Sequence, residues 1–297
     1  MKHHRNDTMT VAVFLPSHLT CFFSIFNNEN PLKKGSCGAG ILIDKGVITK
    51  AKSSKKDKIA IKSLQNIYSP IGSNDIISKK TIEYMKNHFK IEEGISITHE
   101  IEVPLGSGFG TSASSSLGIA IAINKLFDLK IENTKLYQIA HRIEIELGSG
   151  LGDVIAETSH GIVIRTKPGA PGIGEVKNIL SSDAYVITKT LGEIDTSSII
   201  QNPIIAKKIN EIGILTQNKF LKYPSIENLI KCSYNFSKKT GLMNNELLEI
   251  IKQFKNNNLD ASMVMLGNTI FALSKDPYCD MEDVLISKID NEGMKFL

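Results

Sequence analysis

A glycine-rich turn, residues 104–110, lies between a predicted strand and a helix whose first residues, 111–116, are mostly Ser and Thr. Its alternate glycines, Gly106, Gly108 and Gly110, let the backbone approach a ligand closely and turn its N–H groups inward. The helix that follows begins with free N–H groups and the positive end of its dipole, and both favour a bound anion. These residues predict a phosphate-binding turn, with a glycine-rich turn capped by Ser and Thr side chains as the alternative.

The glycine-rich turn differs from two widespread phosphate motifs. No Lys-Ser or Lys-Thr pair follows the glycines, so the segment is not a Walker loop. Thr111 stands where the dinucleotide-binding pattern has its third glycine. We therefore expect a phosphate site of another kind.

Two carboxylates, Glu144 and Asp153, flank a second glycine-rich stretch at residues 148–152. An enzyme that uses a nucleoside triphosphate needs an anionic ligand for Mg²⁺ and a separate group to orient or deprotonate the attacking hydroxyl. Two carboxylates on different elements could fill both roles. The alternatives are an N-cap for Asp153 and a solvated charge or an ion pair for Glu144. His141 lies three residues from Glu144, but no further His or Cys nearby completes a metal site.

The elements that must position these residues follow from the hydrophobic pattern. Strands are predicted over residues 11–15, 19–26, 40–43, 47–50, 58–62, 95–103, 161–166 and 184–190, with 47–50 and 58–62 forming a hairpin. Helices are predicted over residues 76–89, 112–127, 135–147, 203–221, 225–240, 245–257 and 259–273. The helix over 112–127 is apolar nearly all round and is expected to be buried. The pattern predicts an α+β fold of two domains, residues 1–180 and 181–297, the second mainly helical.

The composition excludes several classes of protein. The chain has 297 residues, 41% of them apolar and 22% charged, which is typical of a globular protein. A scattered net charge of +4 argues against nucleic acid or an acidic membrane as a partner. Four widely spaced cysteines without a CxxC pair predict a reduced, cytoplasmic protein. Pro16 and His18 interrupt the apolar run that a signal peptide would need, and residues 117–123 are far shorter than the ~20 residues of a membrane span.

Residues 104–114 resemble the P-x-x-x-G-L-G-S-S-A-A signature of the GHMP kinases, the superfamily of galactokinase and the homoserine, mevalonate and phosphomevalonate kinases. Phe109 replaces the usual Leu, and Thr111 replaces one serine. Further segments resemble the archaeal pantoate kinase family, namely residues 16–23, 35–40, 141–144, 150–154 and 163–174. The resemblance runs through residues 11–176, and beyond them only residues 265–272 look similar.

This resemblance implies a GHMP-kinase fold, with an N-terminal mixed αβ domain that includes a ribosomal-protein-S5-like half and a C-terminal mainly helical domain. It implies ATP-dependent phosphorylation of (R)-pantoate to (R)-4-phosphopantoate in coenzyme A biosynthesis, with ATP and Mg²⁺ as cofactors. A homodimer through the first domain is plausible for such kinases. The residues that would bind the ATP phosphates are Pro104, Gly106, Ser107, Gly108, Phe109, Gly110, Thr111 and Ser112.

The resemblance assigns catalytic roles to Ser112, Glu144 and Asp153. Ser112 and Glu144 would ligate Mg²⁺, and Asp153 would face the primary hydroxyl of the substrate. Because a loose phosphoryl-transfer transition state asks mainly for positioning and charge neutralisation, Asp153 could orient the hydroxyl as much as deprotonate it.

Pantoate also carries a carboxylate, which needs a cation. Only three residues of the chain are arginines, and arginine binds carboxylate with a planar fork that lysine cannot copy. We favour Arg165 for this role, with Lys167 beside it, and interpret Arg142 as a structural partner of Glu144. The further candidates on the substrate side are His18 and Ser36.

Two departures from the family pattern and three alternative functions accompany this interpretation. Ser17 and Cys21 stand where family members usually have glycine, and the third glycine-rich motif of many GHMP kinases is reduced here to Gly267-Asn268. A related kinase that acts on homoserine, shikimate or mevalonate would need the same phosphate turn and carboxylates. A non-catalytic sensor of nucleotide and a small molecule is disfavoured, because a sensor is free to lose the catalytic residues. An RNA-binding role lacks an exposed aromatic platform.

Overall fold

The computed structural model describes residues 9–64, 73–179, 184–192 and 202–297. These residues form two sheets and the helices that cover them. The first sheet contains β1 (Thr10–Phe26), β2 (Gly35–Ser54), β3 (Lys58–Ser63), β4 (Gly94–Ile101), β5 (Ile162–Lys167), β6 (Glu175–Ile179) and β11 (Lys295–Phe296). The second contains β7 (Tyr185–Gly192), β8 (Ala261–Met263), β9 (Asn268–Ser274) and β10 (Val284–Lys288). The helices are α1 (Ser73–Phe89), α2 (Thr111–Leu126), α3 (Asn133–Leu147), α4 (Asp153–Glu157), α5 (Pro203–Lys222), α6 (Ile226–Thr240) and α7 (Asn245–Asn256).

The first sheet is built on the long antiparallel pair of β1 and β2. The N-terminal part of β2 pairs with β5, and its C-terminal part pairs with β4, so the sheet forks along β2. Helix α2 packs on β1 and β2 and is flanked by α1 and α3. This position explains why α2 is apolar on nearly every side, since each face contacts protein.

The second sheet has the order β10-β7-β9-β8 and is antiparallel throughout. Helices α6 and α7 pack on its β8 edge, and α5 and α6 also pack on β1 of the first sheet. Aromatic pairs join the two parts of the chain: Phe22 of β1 meets Phe220 of α5 edge to face at 5.6 Å between ring centroids, and Phe23 meets Phe236 of α6 at 5.8 Å. The first and second halves of the chain therefore share one hydrophobic core.

Most predicted strands and helices are confirmed, although two pairs of predicted strands each form a single strand. Residues 40–43 and 47–50 both lie in β2. Residues 11–15 and 19–26 form one continuous strand instead of two. Pro16 does not end the strand because the pairing with β2 shifts register between Pro16 and Ser17. A bulge at this point accommodates a residue that has no N–H to donate.

The predicted helix over residues 259–273 is wrong. These residues form β8, a turn and β9. The turn passes through Leu266, whose φ of 62° is outside the helical range. Short apolar runs such as these fit a buried strand as well as a buried helix, and the hydrophobic period cannot separate the two.

The predicted hairpin of residues 47–50 and 58–62 is also wrong, although both segments are strands. Strand β4 lies between them, antiparallel to β2 and parallel to β3. Strand β3 is half-buried to exposed along its length and occupies the edge of the sheet. The short polar tip between the two segments suggested a hairpin, whereas the apolar β4 is the better partner for the buried part of β2.

The domain boundary near residue 180 stays a prediction, since residues 180–183 lie outside the described part of the chain. Strand β11, close to the end of the chain, returns to pair with β1. The described residues 184–297 carry a four-stranded sheet in addition to the helices α5–α7. Among the helices that the structure describes, none is both long and apolar enough to cross a bilayer.

Candidate active site

The glycine-rich turn connects the end of β4 to the start of α2. Gly106, Gly108 and Gly110 adopt positive φ values of 66°, 93° and 69°. Residues other than glycine rarely adopt positive φ values, so the backbone conformation of the turn requires glycine at these three positions. The carbonyl of Phe109 accepts a hydrogen bond from the backbone N–H of His18 at 3.3 Å. The turn is thereby fixed to the bulge in β1.

A second backbone segment supports the turn from behind. Gly267, between β8 and β9, lies so close to Gly108 that a β-carbon on Gly267 would stand 2.7 Å from the Cα of Gly108. The hydroxyl of Thr269 donates to the carbonyl of Ser107 at 2.9 Å, and the hydroxyl of Ser107 donates to the carbonyl of Gly192 at 3.0 Å. The reduced third glycine motif noted in the sequence therefore contacts the glycine-rich turn.

Three of the predicted site residues form a chain of hydrogen bonds. His18 Nδ1 lies 2.7 Å from Asp153 Oδ1, and His18 Nε2 lies 3.2 Å from a terminal nitrogen of Arg165. Arginine only donates, so Nε2 of His18 must accept and Nδ1 must carry the proton that it donates to Asp153. The network thus assigns a neutral tautomer to His18. The Asp153 side chain is 26% exposed and forms the open end of the chain.

The electrostatics agree with this assignment. Burial lowers the pKa of His18, and the charge of Arg165 lowers it further, against the hydrogen bond to Asp153. Burial alone would raise the pKa of Asp153, but the hydrogen bond from His18 and the charge of Arg165 hold it below its ordinary value. A neutral His18 and an ionised Asp153 are therefore the stable states near pH 7.

Arg165 is a buried cation, only 1% exposed. Its Nε has no hydrogen-bond partner among the described residues. A β-carbon on Gly152 would contact both Arg165 Nε, at 2.9 Å, and the hydroxyl of Ser36. Arg165 and Ser36 thus converge just before Asp153. A buried charge is expensive unless it is paired; burial lowers the pKa of Arg165, and the charge of Asp153 opposes that shift.

Glu144 is buried at 2% exposure near the end of α3. Its Oε1 accepts a hydrogen bond from the hydroxyl of Ser149 at 3.2 Å, and its carboxyl group lies against Gly150 so closely that a side chain there would clash. Burial and then the charge of Asp153 raise the pKa of Glu144 to about 8. The charge of Asp153 disfavours the ionisation of the buried Glu144, and a cation bound there would favour the charged form of both carboxylates.

The donor set of the site also fits Mg²⁺. No group of three or more His, Cys, Asp and Glu side chains in the described ranges forms a metal cage. Mg²⁺ is usually held by one or two carboxylates together with substrate phosphates and water. The Glu144 carboxylate is a donor of this kind, and Ser112 carries a hydroxyl at the start of α2.

The structure does not bring every predicted residue into the site. The side chain of Lys167 is 56% exposed and pairs with Glu175 at 3.2 Å, away from the buried Arg165. Arg142 is not paired with Glu144 among the ion pairs of the described chain, so that interpretation is wrong. Asp153 does not cap α4, because the N-cap is Gly152 and the Asp153 side chain binds His18.

His141 has a structural partner of its own. Its Nε2 lies 2.9 Å from the carbonyl of Lys34 and 3.2 Å from that of Pro31. These contacts tie α3 to the segment before β2.

Sequence reasoning missed Glu157. It lies on α4 one turn after Asp153 and is completely buried. The signal was present in the sequence, since a carboxylate four residues after Asp153 in an otherwise apolar helix shares its face. Such a residue reads as an ordinary helix charge until the burial of α4 is known.

The fold and this constellation define a class of protein. Residues 76–161 match the GHMP kinases N terminal domain. A solved structure described as a phosphotransferase related to the CoA biosynthesis pathway superposes with a TM-score of 0.82 at 29% identity, covering 97% of this chain and 98% of the other. The protein is a kinase of the GHMP type, a class that uses ATP as its phosphate donor.

Sequence relatives of known name identify one family within this class. The chain is 39% identical to a pantoate kinase of Methanocaldococcus jannaschii over 92% of this chain and 95% of that protein. It is 32% identical to a pantoate kinase of Thermococcus kodakarensis over 95% and 93% of the two chains. The chain belongs to the pantoate kinase family.

Proposed function

We propose that the protein transfers the γ-phosphoryl group of ATP to the primary hydroxyl of (R)-pantoate, giving (R)-4-phosphopantoate and ADP, in the biosynthesis of coenzyme A. The identity to pantoate kinases over most of the chain supports the reaction. The likeness to a phosphotransferase related to CoA biosynthesis supports its metabolic role.

The observation that carries the choice of acceptor is the buried Arg165. Its guanidinium has an unpaired Nε beside Ser36 and reaches Asp153 through His18. An acceptor with a carboxylate at one end and a hydroxyl at the other would span Arg165 and Asp153. Pantoate has both groups, so its carboxylate would bind Arg165 and Ser36 while its primary hydroxyl faces Asp153.

On the phosphate side, the N–H groups of the glycine-rich turn and the start of α2 would bind the ATP phosphates. We assign Ser112 and Glu144 as the ligands of Mg²⁺. When bound there, Mg²⁺ would neutralise the negative charge that develops on the phosphate oxygens, including the leaving oxygen of ADP. Residues Pro104, Ser107 and Phe109 would shape the turn, since Ser107 and Phe109 are both buried.

Asp153 would accept a hydrogen bond from the acceptor hydroxyl and align it with the γ-phosphorus. The oxygen of that hydroxyl forms the new bond to phosphorus as the bond to ADP breaks, and its proton passes to Asp153. His18 keeps the Asp153 carboxylate ionised and fixed in direction. This arrangement supplies positioning, which is the main demand of phosphoryl transfer.

Arg165→Ala tests the acceptor assignment when pantoate is compared with pantoamide, in which an amide replaces the carboxylate. The wild type is expected to prefer pantoate, and the variant to lose that preference by roughly 10- to 100-fold in kcat/KM, the range of a charge-assisted hydrogen bond. Lys167→Ala, on the same strand but exposed, is the matched control and should change nothing. An Arg165→Ala variant that keeps the preference, with a raised KM for ATP instead, would refute the assignment.

We further propose that the protein works in the cytoplasm. Cys21, Cys37 and Cys232 are buried free thiols, and Cys279 is also unpaired. Unpaired cysteines are typical of a reducing compartment. A homodimer through the first domain stays a prediction from the family.

A further inference from the structure

Glu157 is a buried carboxyl group that the reaction described above does not use. Its Oε2 accepts a hydrogen bond from the hydroxyl of Ser114, in the first turn of α2, at 2.9 Å. Its Oε1 lies against Gly110, where a β-carbon would collide with it, and has no hydrogen-bond partner among the described residues. Both oxygens therefore lie at the junction of the glycine-rich turn and α2.

Three parts of the site meet at this side chain. Gly110 ends the glycine-rich turn and is the N-cap of α2. The backbone N–H of Ser114 donates to the carbonyl of Gly110 at 3.2 Å, so Glu157 contacts both ends of the first hydrogen bond of α2. Glu157 itself shares a face of α4 with Asp153, four residues earlier. One side chain thus connects the phosphate turn to the helix that carries Asp153.

Burial raises the pKa of Glu157 well above its usual value, and the charges of Asp153 and Glu144 add to this shift. This shift favours the uncharged carboxylic acid, which would add no repulsion toward a phosphate bound near Gly110. An apolar residue of similar size would avoid the cost of burying a polar group. A carboxyl group here therefore requires a reason other than packing.

We infer that Glu157 is a positioning residue that holds the glycine-rich turn and α2 at a fixed distance from Asp153, through its hydrogen bond with Ser114 and its contact with Gly110. This inference rests on the proposed phosphate-binding role of the turn. It does not depend on the identity of the acceptor. This role depends on the shape and hydrogen-bonding capacity of the Glu157 side chain and does not require a negative charge.

The test measures the affinity of the full-length protein for the ATP analogue AMPPNP with Mg²⁺, together with kcat on (R)-pantoate and the melting temperature. Glu157→Ala is expected to raise the Kd for AMPPNP about tenfold and to lower kcat, since a buried hydrogen bond and a packing contact are lost. Glu157→Gln keeps shape and hydrogen bonding and should remain within about threefold of the wild type in both quantities.

Ser114 and Ser116 give a matched pair of controls, since both are completely buried hydroxyls on α2. Ser114 contacts Glu157, whereas Ser116 binds Thr81 of α1 at 2.9 Å. Ser114→Ala should weaken AMPPNP binding several-fold, and Ser116→Ala should lower the melting temperature alone. These two variants decide the question even if Glu157→Ala does not fold.

The inference is overturned if Glu157→Gln loses as much affinity as Glu157→Ala, because the charge would then be essential. It is also overturned if Ser114→Ala and Ser116→Ala behave alike in AMPPNP binding. A wild type that binds AMPPNP and depends on Glu157, but does not phosphorylate pantoate, would contradict the proposed function and leave this inference standing.

Discussion

At the scale of single residues, the site depends on a neutral histidine between a buried cation and an ionised carboxylate. His18 can donate through Nδ1 to Asp153 and accept through Nε2 from Arg165 at the same time. A lysine could only donate, and an aliphatic residue could do neither. Arg165, the cation we propose for the acceptor carboxylate, and Asp153, the carboxylate we propose to face the hydroxyl, are therefore linked through one ring.

His18→Ala is expected to raise the pKa of Asp153, because the hydrogen bond that now opposes its burial would be lost. In the proposed mechanism Asp153 acts in its ionised form, so the acidic limb of the pH profile of kcat should move to higher pH. His99→Ala is a matched control, since His99 is also fully buried but bonds Thr49 and Ser78, away from this network. An acidic limb that moves equally in both variants would show that His18 does not act on Asp153.

Glu144 gives a prediction about stability without metal. Its pKa is raised from 4.5 to about 8 on folding, by burial first and then by Asp153. The folded state thus binds more protons than the unfolded state in this interval, and the free energy of unfolding falls as pH rises from 4.5 to 8. In EDTA at pH 8, Glu144→Gln should therefore melt at least about 2 °C above the wild type.

The same variant should need far more Mg²⁺ for turnover, because a neutral amide is a poorer Mg²⁺ ligand than a carboxylate. Thermal melts from pH 5 to 8 and Mg²⁺ titrations of activity measure the two effects. If the melting temperatures of wild type and variant changed in parallel across this pH range, the raised pKa of Glu144 would be contradicted. The same Mg²⁺ requirement in both proteins would contradict the assignment of Glu144 as a Mg²⁺ ligand.

At the scale of elements, the glycine-rich turn is held by contacts that are far apart in the sequence. β1 binds it through His18 and Phe109, the β8–β9 turn supports Gly108, and α4 contacts Gly110 through Glu157. A local sequence pattern could predict the turn because its glycines lie within five residues of one another. It could not predict the supports, because their positions follow from the pairing of the sheets.

Gly267→Ala tests the support from the β8–β9 turn. The backbone of Gly267 has no positive φ, so alanine is conformationally allowed, and only its β-carbon meets Ser107 and Gly108. We expect the displaced turn to raise the KM for ATP by about tenfold, since a misplacement near 1 Å is costly in a preorganised site. Unchanged KM with a lowered melting temperature would limit the role of Gly267 to packing.

The errors at this scale have one cause. Residues 259–273 and the hairpin of β2 and β3 were interpreted from short segments whose local pattern fits more than one structure. The long or strongly patterned elements, such as α2 and the three helices α5–α7, were predicted correctly because their own residues determine the period. Strand pairing depends on contacts across the whole sheet, so the local sequence of β2 or β4 does not predict that the two strands pair.

At the scale of the whole molecule, the site forms where the two halves of the chain meet. Helix α5 packs on β1, and its Gln217 donates to the carbonyl of Arg165 at 3.0 Å. The family resemblance predicts roles for Ser112, Glu144 and Asp153, and the rarity of arginine predicts one for Arg165. The sequence could not show that His18 joins Asp153 to Arg165, since the three residues are 135 and 147 positions apart.

The most direct test of the central claim is the release of ADP from Mg-ATP with four acceptors offered separately: (R)-pantoate, homoserine, shikimate and mevalonate. We expect turnover with pantoate alone and a phosphorylated product at its primary hydroxyl. Turnover with another acceptor in place of pantoate would contradict the assignment of Arg165 and Asp153 to the two ends of pantoate. ATP binding without turnover on any of the four would instead make this protein a sensor on a kinase fold.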